Sequence, residues 1–349
     1  MQSFVHKIWY QGHPAAWLLL PLSLLFWLVS SLRRAAFRLG LKRSERLPVP
    51  VVVVGNITAG GSGKTPTVLY LIELLRREGW RPGVISRGYG ASFDGELDVV
   101  AGMSPAQVGD EPAMIAMRTG IPMVVGRNRI KAAHKLLQCH DVNVILCDDG
   151  LQHYALERDV EILVIDGERR FGNGWLLPAG PLREGAWRKN SVNFVLCNGA
   201  SAEADEYAMT LEPTGLVAVA AIHGKSQAKD NSHNAQDNAT PRPGDTVNAM
   251  AGIGNPQRFF STLMAQGFVL EKAHEFADHM AFSETDIATI DDGRPLLMTE
   301  KDAVKCREFA KQHWWYLAVD ANLPPTFSTR LLDALNRAAT AKQGNTHGL

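Results

Sequence analysis

Val51-Val-Val-Val-Gly-Asn-Ile-Thr-Ala-Gly-Gly-Ser-Gly-Lys-Thr65 is the stretch on which the reading of this chain turns. Four consecutive valines bounded by turn residues suit a strand buried on both faces, and the glycines that follow open a loop directly before an amphipathic run ending at Glu78. Strand, glycine loop and helix start, in that order, make a phosphate cradle. Backbone N–H groups freed by Gly60, Gly61 and Gly63 converge on phosphate oxygens, Lys64 reaches the β- and γ-phosphates, and Thr65 ligates Mg2+ at the helix N-terminus. The nucleotide-binding set is therefore Thr58, Ala59, Gly60, Gly61, Ser62, Gly63, Lys64 and Thr65. The general pattern G-x-x-x-x-G-K-[ST] has glycine where this chain has Thr58.

Outward from this loop, 349 residues with 46% hydrophobic content hold one large or two medium domains. Thirty-six basic and 36 acidic residues balance, which excludes a global attraction to nucleic acid and leaves any basic surface local. Four cysteines, Cys139, Cys147, Cys197 and Cys306, contain no C-x-x-C pair and read as reduced thiols.

Upstream lies an uncharged run, Ala15-Ala-Trp-Leu-Leu-Leu-Pro-Leu-Ser-Leu-Leu-Phe-Trp-Leu-Val29, followed by Arg33, Arg34, Arg38, Lys42, Arg43 and Arg46. The run is short for a membrane span and Pro21 interrupts it. A signal peptide fits poorly, since positive charge beyond the apolar run opposes export. A buried core helix and a helix resting in the cytoplasmic leaflet, its basic flank on headgroups, are the remaining readings, and the second is adopted here. Residues 1–46 then form a membrane anchor whose topology the letters do not decide.

From residue 50 to about 200, apolar runs at 51–54, 82–86, 121–125, 142–147, 160–165 and 192–197 alternate with helical segments at 64–78, 110–118 and 129–138. Alternation predicts an α/β fold with a mostly parallel sheet, helices on both faces, and ligands outside the carboxyl ends of the strands. A nucleotide-binding domain is expected over 47–212. The polar tract 225–240 marks a linker with an insertion over 213–245. Strands near 246–251, 268–273, 295–298 and 315–319 place a second, smaller α/β domain over 246–349.

Several strand ends carry candidate chemistry. Val142-Asn-Val-Ile-Leu-Cys147 delivers Asp148 and Asp149 to a sheet edge, as expected of carboxylates that hold Mg2+. Ser86-Arg-Gly-Tyr-Gly90 offers Arg87 to phosphate or is a flexible turn. On residue statistics alone Asp110, in Gly109-Asp-Glu-Pro112, is a helix cap, and His279, in Phe276-Ala-Asp-His279, is a solvated loop residue. Gly252-Ile-Gly254 after a strand is an incomplete dinucleotide pattern, and Thr299-Glu-Lys-Asp302 starts a helix.

Taken together, these motifs resemble the tetraacyldisaccharide 4′-kinases, the lipid A pathway enzymes of Gram-negative bacteria. The resemblance includes the loop from Val53 to Pro66, with Thr58 as the family's own variant, together with Asp148-Asp-Gly-Leu-Gln-His153, Gly180-Pro-Leu-Arg-Glu184, Ala251-Gly-Ile-Gly-Asn-Pro-Gln-Arg-Phe259 and Thr299-Glu-Lys-Asp-Ala-Val304. It implies two α/β/α sandwich domains, the first like a P-loop NTPase, closing around ATP and Mg2+. It further implies γ-phosphate transfer to the 4′-hydroxyl of an acylated glucosamine disaccharide 1-phosphate, giving lipid IV-A, at the cytoplasmic face of the inner membrane; a monomer is expected. On this resemblance Asp110 becomes the base, His279 its support and Lys64 the phosphate ligand; Thr65 with Asp148 or Asp149 holds Mg2+, and Arg87, Arg183 and Glu184 line the site. The rival reading is a membrane-associated nucleotide switch without a lipid acceptor.

Overall fold

The computed structural model describes residues 2–199, 202–222 and 240–346. Apart from Thr240, the polar tract at 225–240 lies outside them. Two helices open the chain, α1 (Gln2–Tyr10) and α2 (Ala15–Arg38). The first half then runs β1 (Val51–Gly55), α3 (Lys64–Arg77), β2 (Pro82–Ser86), β3 (Glu96–Asp98), α4 (Pro105–Val108), α5 (Asp110–Thr119), β4 (Met123–Gly126), α6 (Arg129–Cys139), β5 (Val144–Asp148), β6 (Val160–Asp166) and β7 (Phe194–Asn198). β8 (Tyr207–Ala218) leads to the second half: β9 (Thr246–Ala251), α7 (Pro256–Ala265), β10 (Val269–Glu275), α8 (Glu284–Ala288), β11 (Leu296–Thr299), α9 (Glu300–Cys306), β12 (Trp314–Asn322) and α10 (Pro325–Thr346).

The valine run behaves as its composition requires. Val52 and Val54 enter one core layer and Val51 and Val53 the other, all fully buried, because a central strand of a parallel sheet is covered by helices on both faces. On the first face α3 contributes Val68, Leu71, Ile72 and Leu75. The same layer receives Phe327, Leu331 and Leu335 from α10, so the chain's last helix returns to the first half. Phe327 packs its ring against Tyr70, Phe194 and Tyr207, and farther along α10 the Lys342 ammonium binds Leu47 O at 2.9 Å and the Asp159 carboxylate at 3.1 Å.

The twelve strands of the described residues share one sheet, ordered β10-β9-β11-β12-β8-β7-β6-β1-β5-β2-β4-β3. Composition placed residues 213–218 in the linker; they belong to β8. Residues 207–209 of that strand pair in parallel with the carboxyl end of β7, and residues 210–218 continue past it to pair antiparallel with β12. β9, β10, β11 and β12 are mutually parallel, so their carboxyl ends point back toward those of the first half. The cleft forms between the two rows. α2 extends further than the uncharged run, through Arg33 and Arg34 to Arg38, and Pro21 is accommodated within it.

The Phe327 site sits wholly inside and joins both halves. Replacing Phe327 by Ala is expected to destabilise the protein by about 3–5 kcal/mol, read as a lower urea midpoint at unchanged slope.

Candidate active site

The phosphate cradle occupies the turn from β1 into α3. Gly60 and Gly63 both have φ of 100°, a region open to glycine. Gly63 is also sterically required, since a Cβ there would lie 2.4 Å from Asn198 Nδ2, which donates to Ser62 O at 3.0 Å. The loop is braced from the other side by the 180–184 segment: Thr58 bridges Leu182, Ala59 N donates to Pro181 O at 2.8 Å, and Arg183 N donates to Ile57 O at 2.7 Å. Among the described residues Ser62 Oγ is buried without a hydrogen-bond partner. A buried hydroxyl beside convergent loop amides is suited to phosphate oxygens, so the residues present fit a nucleoside triphosphate.

Lys64 begins α3, with Nζ 3.7 Å from Asp149 Oδ1, and Arg183 Nη1 lies 3.1 Å from Asp149 Oδ2. Asp149 holds φ 47°, an uncommon conformation for a non-glycine residue. Its neighbour Asp148 ends β5, is 5% exposed and accepts from Ser86 Oγ at 3.1 Å. Burial, then the charges of Asp149 and Glu111, push the Asp148 carboxyl up to about 6. Asp148 and Asp149 line the same cleft as Thr65, and all three offer oxygen donors of the kind Mg2+ prefers. Glu184 is buried, accepting from Gln152 Nε2 at 2.8 Å and Tyr154 Oη at 2.7 Å; it sets the cleft wall.

From the second half come residues that spacing alone did not single out. His279, with φ 63°, presents Nδ1 to Asp110 Oδ2 at 3.1 Å, an interaction spanning 169 residues. Lys301, at the start of α9, lies 2.7 Å from Glu111, 3.0 Å from Asp278 and 3.9 Å from Asp110, while Lys305 is 3.5 Å from Asp110. Burial alone would raise the Asp110 pKa, but the His279 hydrogen bond and the two ammonium groups hold it below the usual carboxylate range. The hydrogen bond to Asp110, outweighing burial, raises His279. The helix start at Thr299-Glu-Lys-Asp302 was the only sequence signal for Lys301; its partners are too distant in sequence to be read.

The incomplete dinucleotide pattern has another purpose. A Cβ on Gly254 would stand 2.7 Å from Gly61 N, so Gly252-Ile-Gly254 lets the second half touch the phosphate loop directly. Arg169 ties this contact, donating to Gly254 O at 3.2 Å and to Gly61 O. The resulting cleft, about 1260 Å³, is lined by Lys64, Thr65, Arg87, Asp148, Asp149, Arg183, Glu184 and His279, and by Phe26, Val29 and Ser30 of α2. Of the pair, Asp110 is the more sheltered, its side chain 13% exposed against 31% for His279.

A family model described as tetraacyldisaccharide-1-P 4'-kinase matches residues 15–336. Tetraacyldisaccharide 4'-kinases of Shewanella sp. (strain MR-4) and Shewanella oneidensis are 57% and 55% identical to this chain, with 100% of each chain covered. The chain belongs to the tetraacyldisaccharide-1-P 4'-kinase family. A solved structure, the apo form LpxK from Aquifex aeolicus in complex with ATP, is 27% identical with a TM-score of 0.73, covering 93% of this chain and 99% of that one. Family membership carries the fold, a P-loop α/β architecture, and the activity, that of an ATP-dependent 4′-kinase in lipid A biosynthesis. The switch without an acceptor is not favoured.

A carboxylate must be ionised to ligate a cation, so with Asp148 as a ligand Mg2+ affinity is expected to fall about tenfold per pH unit as pH drops below 6. Calorimetric titration in buffers of different ionisation enthalpy would register the released proton, and Asp148→Asn would abolish that release along with most of the binding.

Proposed function

We propose that this chain transfers the ATP γ-phosphate to the 4′-hydroxyl of a tetraacylated glucosamine disaccharide 1-phosphate, yielding lipid IV-A, as a monomer at the cytoplasmic face of the inner membrane. One observation carries the reading. A phosphate cradle, a His–carboxylate pair and an apolar helix whose outer face is uncovered all border one cleft. A soluble acceptor would give the apolar wall nothing to do, whereas an acylated one stays in the bilayer beside it, avoiding exposure of its chains.

ATP with Mg2+ supplies the transferable group and neutralises the charge that develops on it. Lys64 and the loop amides of Thr58 to Thr65 hold the phosphates, and Thr65 with Asp148 and Asp149 holds the metal. Arg87 and Arg183 add positive charge along the wall. These groups act by position and field, which is most of what phosphoryl transfer asks of a protein.

The acceptor hydroxyl is a poor nucleophile until its proton has somewhere to go. The order of roles implied by the resemblance, Asp110 as base and His279 in support, is less well supported by the geometry than the reverse order. His279 faces the cleft, while Asp110 is surrounded by His279, Lys301 and Lys305 and is correspondingly weak as a base. In this reading His279 Nε2 takes the proton as the new O–P bond forms, and Asp110 orients the ring through Nδ1 and stabilises its charged form.

The test is transfer of radiolabel from ATP to the acylated disaccharide 1-phosphate in mixed micelles, with the deacylated sugar as control. Full nucleotide consumption without labelled lipid would overturn the proposal. His279 must be neutral to act, so kcat/KM should rise with pH through a value above the ordinary His pKa of about 6.5. Asp110→Asn should lower kcat by roughly 10²–10⁴, leave ATP affinity nearly unchanged and shift that limb to lower pH. His279→Ala should lose as much and recover part of it with added imidazole. Lys64→Ala should depress both ATP affinity and turnover.

A further inference from the structure

α2 is long and apolar enough to cross a membrane, and its 24 residues span about 36 Å. Its outer face leaves Trp17, Leu18, Leu22, Leu24, Leu25, Trp27, Leu28 and Leu32 exposed. Its inner face is attached to the body of the protein within the N-terminal half of the helix. There Ser23, only 4% exposed, donates from Oγ to Leu176 O at 2.8 Å and accepts from Ala179 N at 2.9 Å. α1 holds the same loop: Trp9 Nε1 donates to Pro178 O at 3.0 Å, and Asn173 N donates to Trp9 O at 2.8 Å. A few residues on, that loop bridges the phosphate cradle through Leu182 and Thr58.

Spanning a hydrocarbon layer about 30 Å thick would carry the attachment at Ser23, and the folded body with it, into that layer and take the body's exposed polar groups out of water. The helix can lie along the layer's surface with its outer stripe immersed. Both ends of the helix carry residues suited to that depth, and each is paired with the loop. Near the N-terminal end Trp17 meets Trp175 edge-on, ring centroids 6.5 Å apart; near the other the Arg34 guanidinium stacks 4.1 Å over Trp187. Trp175 and Trp187 are each nearly half exposed. Tryptophan concentrates at headgroup level, and Arg33, Arg34 and Arg38 at this end favour anionic lipid.

We propose that the protein docks on an anionic lipid monolayer through a composite surface, with α2 lying in the plane of one leaflet and Trp175 and Trp187 of the neighbouring loop segments immersed beside its two ends. This rests on the membrane association proposed above and fixes its geometry. The body follows the helix to the surface, and the cleft wall formed by Phe26, Val29 and Ser30 stands at the level where acyl chains begin.

The test uses the full chain on vesicles of phosphatidylethanolamine and phosphatidylglycerol carrying brominated acyl chains, comparing wild type with Trp175→Phe and Trp187→Phe so that each ring's fluorescence is obtained by difference. Both rings should be quenched by bromine placed near the headgroups and less by bromine near the chain ends. Quenching of neither ring, or of one only, overturns the in-plane geometry. Independently, Trp175→Ser should weaken vesicle partitioning roughly tenfold while turnover on micellar acceptor is unchanged; unaltered partitioning removes Trp175 from the surface. Vesicle binding with no lipid labelling would instead count against the kinase reading and leave this geometry standing.

Discussion

The antiparallel pairing of β8 with β12 is the constraint from which the active site follows. A parallel α/β sheet gathers its ligands at the carboxyl ends of its strands, because loops diverge and helix N-termini converge there. Had the second half continued the first sheet in parallel, its own carboxyl ends would have lain beside those of the first half and facing the same way. β8 instead leaves the carboxyl edge of the first sheet and turns the second half about. Two ligand-gathering edges thus confront each other, one with the cradle, Asp148 and Asp149, the other with Gly254, His279 and Lys301.

Charge is balanced within that gap. On the first side Lys64 and Arg183 flank Asp149, leaving Asp148 as the buried carboxyl pushed up by its surroundings. On the second, Lys301 joins Glu111 and Asp278, while Asp110 serves as counter-charge to His279. Such environments push like groups apart in proton affinity, so that carboxyls of one cleft differ in how readily they take a proton. Lys301 and Lys305 come from the half opposite to the carboxylates Asp110 and Glu111, so these ion pairs also hold the halves together. Arg118 does the same from the first half, bonding Glu300 Oε2 at 2.8 Å and Val319 O at 3.0 Å.

Where sequence and structure differ, the reason is distance along the chain. Periodicity located nearly every strand of both halves because burial is imposed residue by residue. It missed β3, three half-buried residues at the sheet edge, and β8, whose pattern is mixed because most of it is only partly buried. Residue statistics made Asp110 a cap and His279 a solvated loop residue, since each is unremarkable alone; the resemblance to a family, not spacing, singled them out.

The letters by themselves determined the cradle and its acidic strand end, because a phosphate loop is built from consecutive residues whose backbone conformation glycine sets locally. They also determined the apolar helix, a property of composition. Only the tertiary structure decided that His279 meets Asp110, that Gly254 meets Gly61, and that α2 is held to the body at Ser23. Each of these depends on contacts between residues scores of positions apart, and such contacts exist only once the sheet has brought the two halves face to face.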